Sequence, residues 1–295
     1  MVPRCVLVER PTEYSELLAR HGTREQVRFF LERRGRTLEE VQHRHERLAE
    51  MRRRVLADVS SDWRRATVTR ADLDRFLFEP EDIVVVLGQD GLVANAARYL
   101  HGQPVIGLNP EPDRYPGVLV PHPPAAAGDL LRDAAAGRAK LEARTMAEAQ
   151  LDDGQTLTAL NELFVGHQTH QSARYSIAVG GRSEHQSSSG VIVSTGTGAT
   201  GWAASIARER GTGLHLPAAT APTLAYFVRE AWPGPATGTT LTEGLLDGST
   251  RLDIRSELTD GGVVFADGIE ADHLKLDWGQ SARIGVSDRQ LQLVR

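Results

Sequence analysis

The segment Asp82-Ile-Val-Val-Val-Leu-Gly-Gln-Asp-Gly-Leu92 constrains this chain more than any other. From Ile83 to Leu87 it is apolar without a break. Such a run lacks the polar alternation of a half-exposed strand, so it suits a strand covered on both faces in a parallel sheet. It ends in a Gly-x-Asp-Gly turn. A helix is expected next, over Val93 to Leu100, and then a strand over Pro104 to Leu108. That order is a βαβ unit, and it makes the N-terminal part an α/β domain with a parallel sheet.

The flanking sequence extends the same domain. Cys5 to Val8 reads as a first strand. Thr23-Arg-Glu-Gln26 and Thr37-Leu-Glu-Glu40 are capping boxes that open two helices. The second helix runs to about Asp58, with Leu38, Val41, Leu48, Met51 and Val55 on one face and an Arg/Glu-rich face toward solvent. Ala66 to Val68 is a candidate strand and Ala71 to Phe78 a short helix. Asn109 to Pro116 is a structured loop. After Val120 the composition shifts, and Pro121-His-Pro-Pro124 reads as a linker before an alanine-rich helix over Ala125 to Ala136.

Beyond that helix, short strands alternate with glycines. They are expected over Leu157 to Val165, Arg174 to Val179, Gly190 to Ser194, Leu252 to Ser256, Gly262 to Ala266, Leu274 to Trp278 and Ser281 to Val286. Closely spaced strands and turns indicate an antiparallel sandwich or barrel-like domain. The expected organisation is therefore an α/β Rossmann-like domain over 1–122 and a β-rich domain over 123–295.

Composition narrows the functional classes. The 295 residues carry a formal net charge of -5, which argues against a nucleic-acid partner. A lone cysteine, Cys5, excludes an internal disulfide and a cysteine-rich zinc site. No apolar stretch approaches the ~20 residues needed to span a bilayer, and the N-terminus is strand-like rather than a leader. A cytoplasmic protein is expected. Of 34 basic residues only Lys140 and Lys275 are lysines, and neither follows a glycine-rich loop. Phosphate chemistry here would rest on backbone amides, arginines and a metal.

Two readings stay open for Gly88-Gln-Asp-Gly91. It lies where open α/β sheets bind ligands, and a carboxylate held there could accept a hydroxyl proton or help hold magnesium. Equally, it is a βα turn that needs glycine, with Asp90 as a cap. Gly196-Thr-Gly-Ala-Thr-Gly201 matches G-x-G-x-x-G after a strand and before a helix expected over Trp202 to Arg210. Its surroundings are β-rich and no acid follows at the ribose-binding distance. A dinucleotide fingerprint, a structural turn and another nucleotide-contacting loop all remain. Asn161-Glu162 places a polar pair in an apolar strand, either facing ligand or at a solvent edge. Asp267 and Glu270 mark a hairpin first and a site second. His167 and His170, three apart with His185 beyond, read as a solvated polar loop rather than a rigid helix face and do not favour zinc, and His43 and His45 cannot face one ligand together on a helix.

Taken in order along the chain, these segments resemble the NAD kinase family. Gly88-Gln-Asp-Gly-Leu92, Ile106-Gly-Leu-Asn109, Asn161-Glu162, Ser189 to Thr200 and Asp267-Gly268 correspond to its GGDGT loop, G-x-N strand end, NE pair, glycine/threonine-rich loop and late DG turn. The mitochondrial-type branch is the most similar, through Leu7 to Tyr14, Asn109 to Arg114 and Ser188 to Gly190.

The resemblance implies a nucleotide cleft between the two domains and transfer of the ATP γ-phosphoryl group to the adenosine-ribose 2′-hydroxyl of NAD(H), with Mg2+ or another divalent metal. By motif match Asp90 would activate that hydroxyl. Gly88, Gln89 and Gly91 would meet phosphates, Asn161 and Glu162 would hold the acceptor, and Thr195, Gly196, Thr197 and Gly198 would line the adenosine pocket. A metal-ligand set is not assigned, Arg114 or Arg174 would replace the missing lysine, and a homodimer is expected. Gln89 and Leu92 depart from the family's glycine and threonine, which leaves open another nucleoside acceptor or a catalytically silent nucleotide-binding homologue.

Overall fold

The computed structural model describes residues 2–295, and they form two compact units. The first holds the chain up to Tyr99, then Gln103–Leu141 and Leu293–Arg295. The second holds Leu100–Gly102 and Glu142–Gln292. The observed division follows Leu141 rather than the Pro121–Pro124 segment, because the helix after those prolines packs on the parallel sheet.

The first unit contains, in order, β1 (Arg4–Glu9), α1 (Glu13–His21), α2 (Arg24–Glu32), α3 (Leu38–Asp58), β2 (Arg64–Thr69), β3 (Asp82–Leu87), α4 (Asp90–Ala97), β4 (Pro104–Leu108) and α5 (Ala127–Ala135). Thr23 and Thr37 cap α2 and α3 through their hydroxyls, as the capping boxes require. The segment expected as a helix over Ala71 to Phe78 is a 3-10 turn, Arg70–Arg75. The sheet is parallel in the order β2-β1-β3-β4. Every residue of β3 is buried, which accounts for its unbroken apolar run.

One buried charge pins the register. Asp82 is 0% exposed, and Arg4 reaches it through Nε at 2.7 Å and Nη2 at 2.6 Å. Arg4 and Asp82 are direct register partners, so the bidentate pair fixes β1 against β3.

The second unit continues with β5 (Leu141–Leu151), β6 (Thr156–Ala159), β7 (Glu162–His167), β8 (Ala173–Val179), β9 (Arg182–Ser188), β10 (Val191–Ser194), α6 (Trp202–Arg210), β11 (Thr223–Val228), β12 (Glu243–Asp247), β13 (Leu252–Ser256), β14 (Gly262–Ala266), β15 (His273–Lys275) and β16 (Ser281–Val294). One antiparallel layer runs β12-β11-β10-β7-β14-β15. The other contains β16-β13-β8-β9, with β5 paired to β16 and β6. Leu163, Val193, Tyr226 and Val264 from the first layer meet Ala147, Ile177, Ile254 and Ile284 from the second in one core. This is sheet-on-sheet packing.

The single strand expected over Leu157 to Val165 is two strands broken at Leu160-Asn161. Likewise, the helix expected from Val93 begins at Asp90. Asn161 and Asp90, the polar residues at these two boundaries, both lie at corners of the fold. No helix among the described residues is long and apolar enough to cross a membrane.

Candidate functional site

Asp90 is the first residue of α4, immediately beyond the C-terminal end of β3. Its carboxylate accepts three backbone N–H groups from one strap of chain. Val118 N lies 2.9 Å from Oδ2, while Leu119 N and Val120 N lie 2.8 and 3.2 Å from Oδ1. A carboxylate offers about four lone-pair directions, so this clamp leaves one open on Oδ2. Asp90 is half-buried and does not cap the helix through its neighbour; Gln89, the N-cap residue, makes no side-chain cap bond.

The strap is held equally firmly on its other side. A Cβ added at Gly107 would fall on Leu119 O and within 2.8 Å of Val120 Cα. Gly117 has φ +68, and Asn109 donates to Tyr115 O at 2.7 Å. Ile106-Gly-Leu-Asn109 is thus the seat of the strap, and Asp90 is its anchor. Gly107→Ala should lower unfolding stability by about 2 kcal/mol, measured by urea denaturation, because the strap backbone must move.

The four segment positions do different work. Gly88 is buried and donates to Leu108 O at 3.1 Å, and a Cβ there would sit 3.1 Å from Leu92 Cδ2. Leu92 is 4% exposed, so the residue that replaces the family's threonine belongs to the core. Gln89 and Gly91 are exposed, and a Cβ at Gly91 would touch nothing. The fold itself therefore gives no reason for glycine at 91.

A cavity of about 370 Å³ opens beside this turn. Gly88 and Gln89 line it together with Arg10, Thr12, Arg44 and Arg47, all within the first unit. It lies at the ends of β1 and β3, where connections leave a parallel sheet in opposite directions and ligands bind. Thr12 Oγ1 contacts His45 Nδ1 at 2.7 Å, which ties the chain after β1 to α3. Arg36 and Arg44 both engage Glu13 on the same wall, and the Arg36 hydrogen bond holds the Glu13 carboxyl below its ordinary range.

The second unit builds another corner by the same device. Asp267 sits after β14 at φ +52, and its carboxylate accepts Leu160 N at 3.0 Å, Asn161 N at 2.7 Å and Glu162 N at 3.3 Å. Thr195 completes the corner: its hydroxyl donates to Leu160 O at 2.5 Å and accepts Thr197 N and Gly198 N. A Cβ at Gly196 would fall on Ala218 O, and one at Gly198 on Asn161 O. Glycines 196 and 198 thus allow close backbone approach. Thr197 Oγ1 accepts Arg144 Nη1 at 3.2 Å.

Around that corner, two side chains keep their polar ends unused. Among the described residues, neither the Asn161 carboxamide nor the Glu162 carboxylate makes a hydrogen bond, and both residues are half-buried. Burial, and then the negative charge of Asp267, push the Glu162 carboxyl up to about 7. The sign follows from its ordinary value of 4.5: as pH rises from 4.5 toward 7 the unfolded chain loses this proton first, so folding weakens. Glu162→Gln should match the parent near pH 4 and be more stable by about 2 kcal/mol at pH 8, after allowance for solvent screening, in urea titrations at the two pH values.

A second cavity of about 660 Å³ lies wholly in the second unit, lined by Phe164, Trp202, Phe265, Arg229, His167 and His170 among others. His167 ends β7 and is buried and His185 is on β9, so only His170 of the three lies in the solvated loop expected for them. Phe164 stacks on Phe265 at 4.7 Å, and the Arg229 guanidinium lies 5.2 Å from the Trp202 ring centre. Sequence reasoning passed over Trp202 and Arg229, as it did Arg10 and Arg47. A tryptophan directly after Gly201 was the available signal. Of the two arginines expected to stand in for lysine, Arg114 lies near enough to Glu13 to act on its charge, while Arg174 is exposed on β8 of the second unit. Among the described residues no group of three or more His, Cys, Asp or Glu could hold a metal by itself.

The parallel sheet and the sandwich together superpose on solved structures. The yeast NADH kinase complexed with NADH superposes with a TM-score of 0.62 at 15% identity, over 99% of this chain and 83% of that one. An NAD kinase from Archaeoglobus fulgidus, in complex with ATP, gives 0.59 at 16% identity, over 99% and 93%. The chain has the NAD kinase fold.

Sequence similarity points to the same family. An NAD kinase of Methylococcus capsulatus is 39% identical over 132 residues, and one of Methanoregula boonei 36% identical over 127. These matches cover 42% of this chain, and they span 44% and 46% of the relatives' lengths, less than half of each. No family model matches.

Proposed function

We propose that this chain transfers the γ-phosphoryl group of ATP to the adenosine-ribose 2′-hydroxyl of NAD or NADH, as a member of the mitochondrial-type branch. The observation that carries the reading is the Asp90 carboxylate, fixed by the strap at the end of β3 with one lone pair open. Asp90 accepts the hydroxyl proton as the ribose oxygen bonds to the γ-phosphorus and the bond to the departing ADP oxygen breaks. Phosphoryl transfer asks mainly for positioning and charge neutralisation, which a rigid clamp and arginines supply.

Asn161 and Glu162 are the acceptor-side residues, since their polar ends are unused by the fold. Thr195, Gly196, Thr197 and Gly198 hold their corner in shape. Gly88, Gln89 and Gly91 meet phosphate, Gly91 because nothing else accounts for its missing side chain.

Magnesium in such reactions needs only one or two protein carboxylates beside the substrate phosphates. Glu16 and Glu111 line the first cavity and make no ion pair among the described residues, so they would hold it. When bound, the ion would neutralise phosphate charge. We also place the protein in the cytoplasm, as a homodimer.

Incubation with magnesium-ATP and a panel of NAD, NADH and simple nucleosides tests the reading. A 2′-phosphorylated dinucleotide supports it. Product from a simpler nucleoside alone, or nucleotide binding without turnover, overturns it.

A further inference from the structure

Arginines on α3 are almost all spoken for. Arg44 holds Glu13, Arg52 holds Glu9, and Arg53 and Arg54 share Glu50. Arg47 is different: it makes no ion pair or hydrogen bond among the described residues, and it lines the 370 Å³ cavity. Arg10, at the end of β1 on the same cavity, is also unpaired. Two guanidiniums without partners at one concave site, on a surface where their neighbours are paired, mark a place for an anion supplied from outside.

The rest of the lining says which anion. Gly88 and Gln89 bring backbone of the Gly-x-Asp-Gly turn to the cavity. Val41, Leu48 and Met51 give it an apolar wall. Glu13 is neutralised by Arg36 and Arg44. Glu16 and Glu111 are the remaining acids, and a bare phosphate would feel them as repulsion, whereas a polyphosphate carrying a cation would not.

We infer that Arg10 and Arg47 are the positioning residues for a linear polyphosphate chain, and that the apolar wall beside them favours one attached to a nucleoside. The inference deepens the kinase reading and rests on it for the identity of the donor, but not for binding. It assigns the work of the missing lysine to one residue after β1 and one on α3. Inorganic polyphosphate shares the same anionic chemistry, so the two sources need separate arms.

The test measures binding of magnesium-ATP and of magnesium-tripolyphosphate to the full chain by calorimetry, for the parent, Arg10→Ala, Arg47→Ala and the control Arg53→Ala. Each cavity variant should weaken both ligands by about tenfold, the scale of a lost charge-assisted contact. The control should not change, NAD affinity should stay at the parent level, and ATP should bind more tightly than tripolyphosphate. Both arginines are exposed, so folding should survive; a thermal scan checks this, and Arg47→Glu should weaken binding further than Arg47→Ala. Parent-like ATP and tripolyphosphate affinity in both variants would overturn the assignment. Tripolyphosphate binding as tight as ATP would overturn the nucleoside part of it. If NADP is never formed yet the variants lose ATP, the kinase reading fails and the site stands. If turnover is present and the variants keep the parent KM for ATP, the reverse holds.

Discussion

Asp90→Asn should reduce turnover by about a hundredfold or more, the usual scale for losing a positioned proton acceptor. The same substitution should cost about 1–3 kcal/mol of stability, because an amide offers one acceptor oxygen where the strap needs two. Those losses have separate origins, and Gly107→Ala separates them. That variant disturbs the strap seat without altering the carboxylate. Turnover falling far more in Asp90→Asn than in Gly107→Ala, measured as initial rates at saturating nucleotide, assigns Asp90 a part in the chemistry. Equal losses would make it an anchor only.

The second large effect belongs to Asp267. Asp267→Ala removes the acceptor of three backbone amides and puts alanine at φ +52, where a Cβ is disfavoured. A loss of about 3 kcal/mol is expected, with Asp267→Asn intermediate, since asparagine tolerates that backbone but offers one oxygen. Stability in urea ranks the three. The substitution also removes a negative charge beside Glu162, so the inflection of Glu162 should move down from about 7 in a proton-sensitive carboxyl NMR titration. An inflection that stays at about 7 would mean burial alone raises it.

Much of the first unit was legible from β3 outward. A fully buried strand writes itself as an apolar run, and threonine caps announce α2 and α3 with little ambiguity. The β-rich unit was less so. β9, Arg182–Ser188, has no apolar residue to mark its period, while β5 and β11 have no glycine directly beside either end. Asp90 and Asp267 were legible as acids in turns, but their bonds to amides 28 to 30 and 105 to 107 positions away were not. Local pattern carries no information about such partners. The GxGxxG match left three readings open for a related reason: Gly196 and Gly198 make room for backbone at Ala218 and Asn161, contacts set by tertiary packing. The Arg/Glu face of α3 read as solvated, and only the pairing of each arginine singled out Arg47.

Transfer to the 2′-hydroxyl is tested most directly by following label from γ-phosphate-labelled ATP into NAD and into an NAD analogue that lacks the adenosine 2′-hydroxyl. Label should enter NAD and leave the deoxy analogue blank. Label in both dinucleotides, or in neither, would contradict transfer to that hydroxyl.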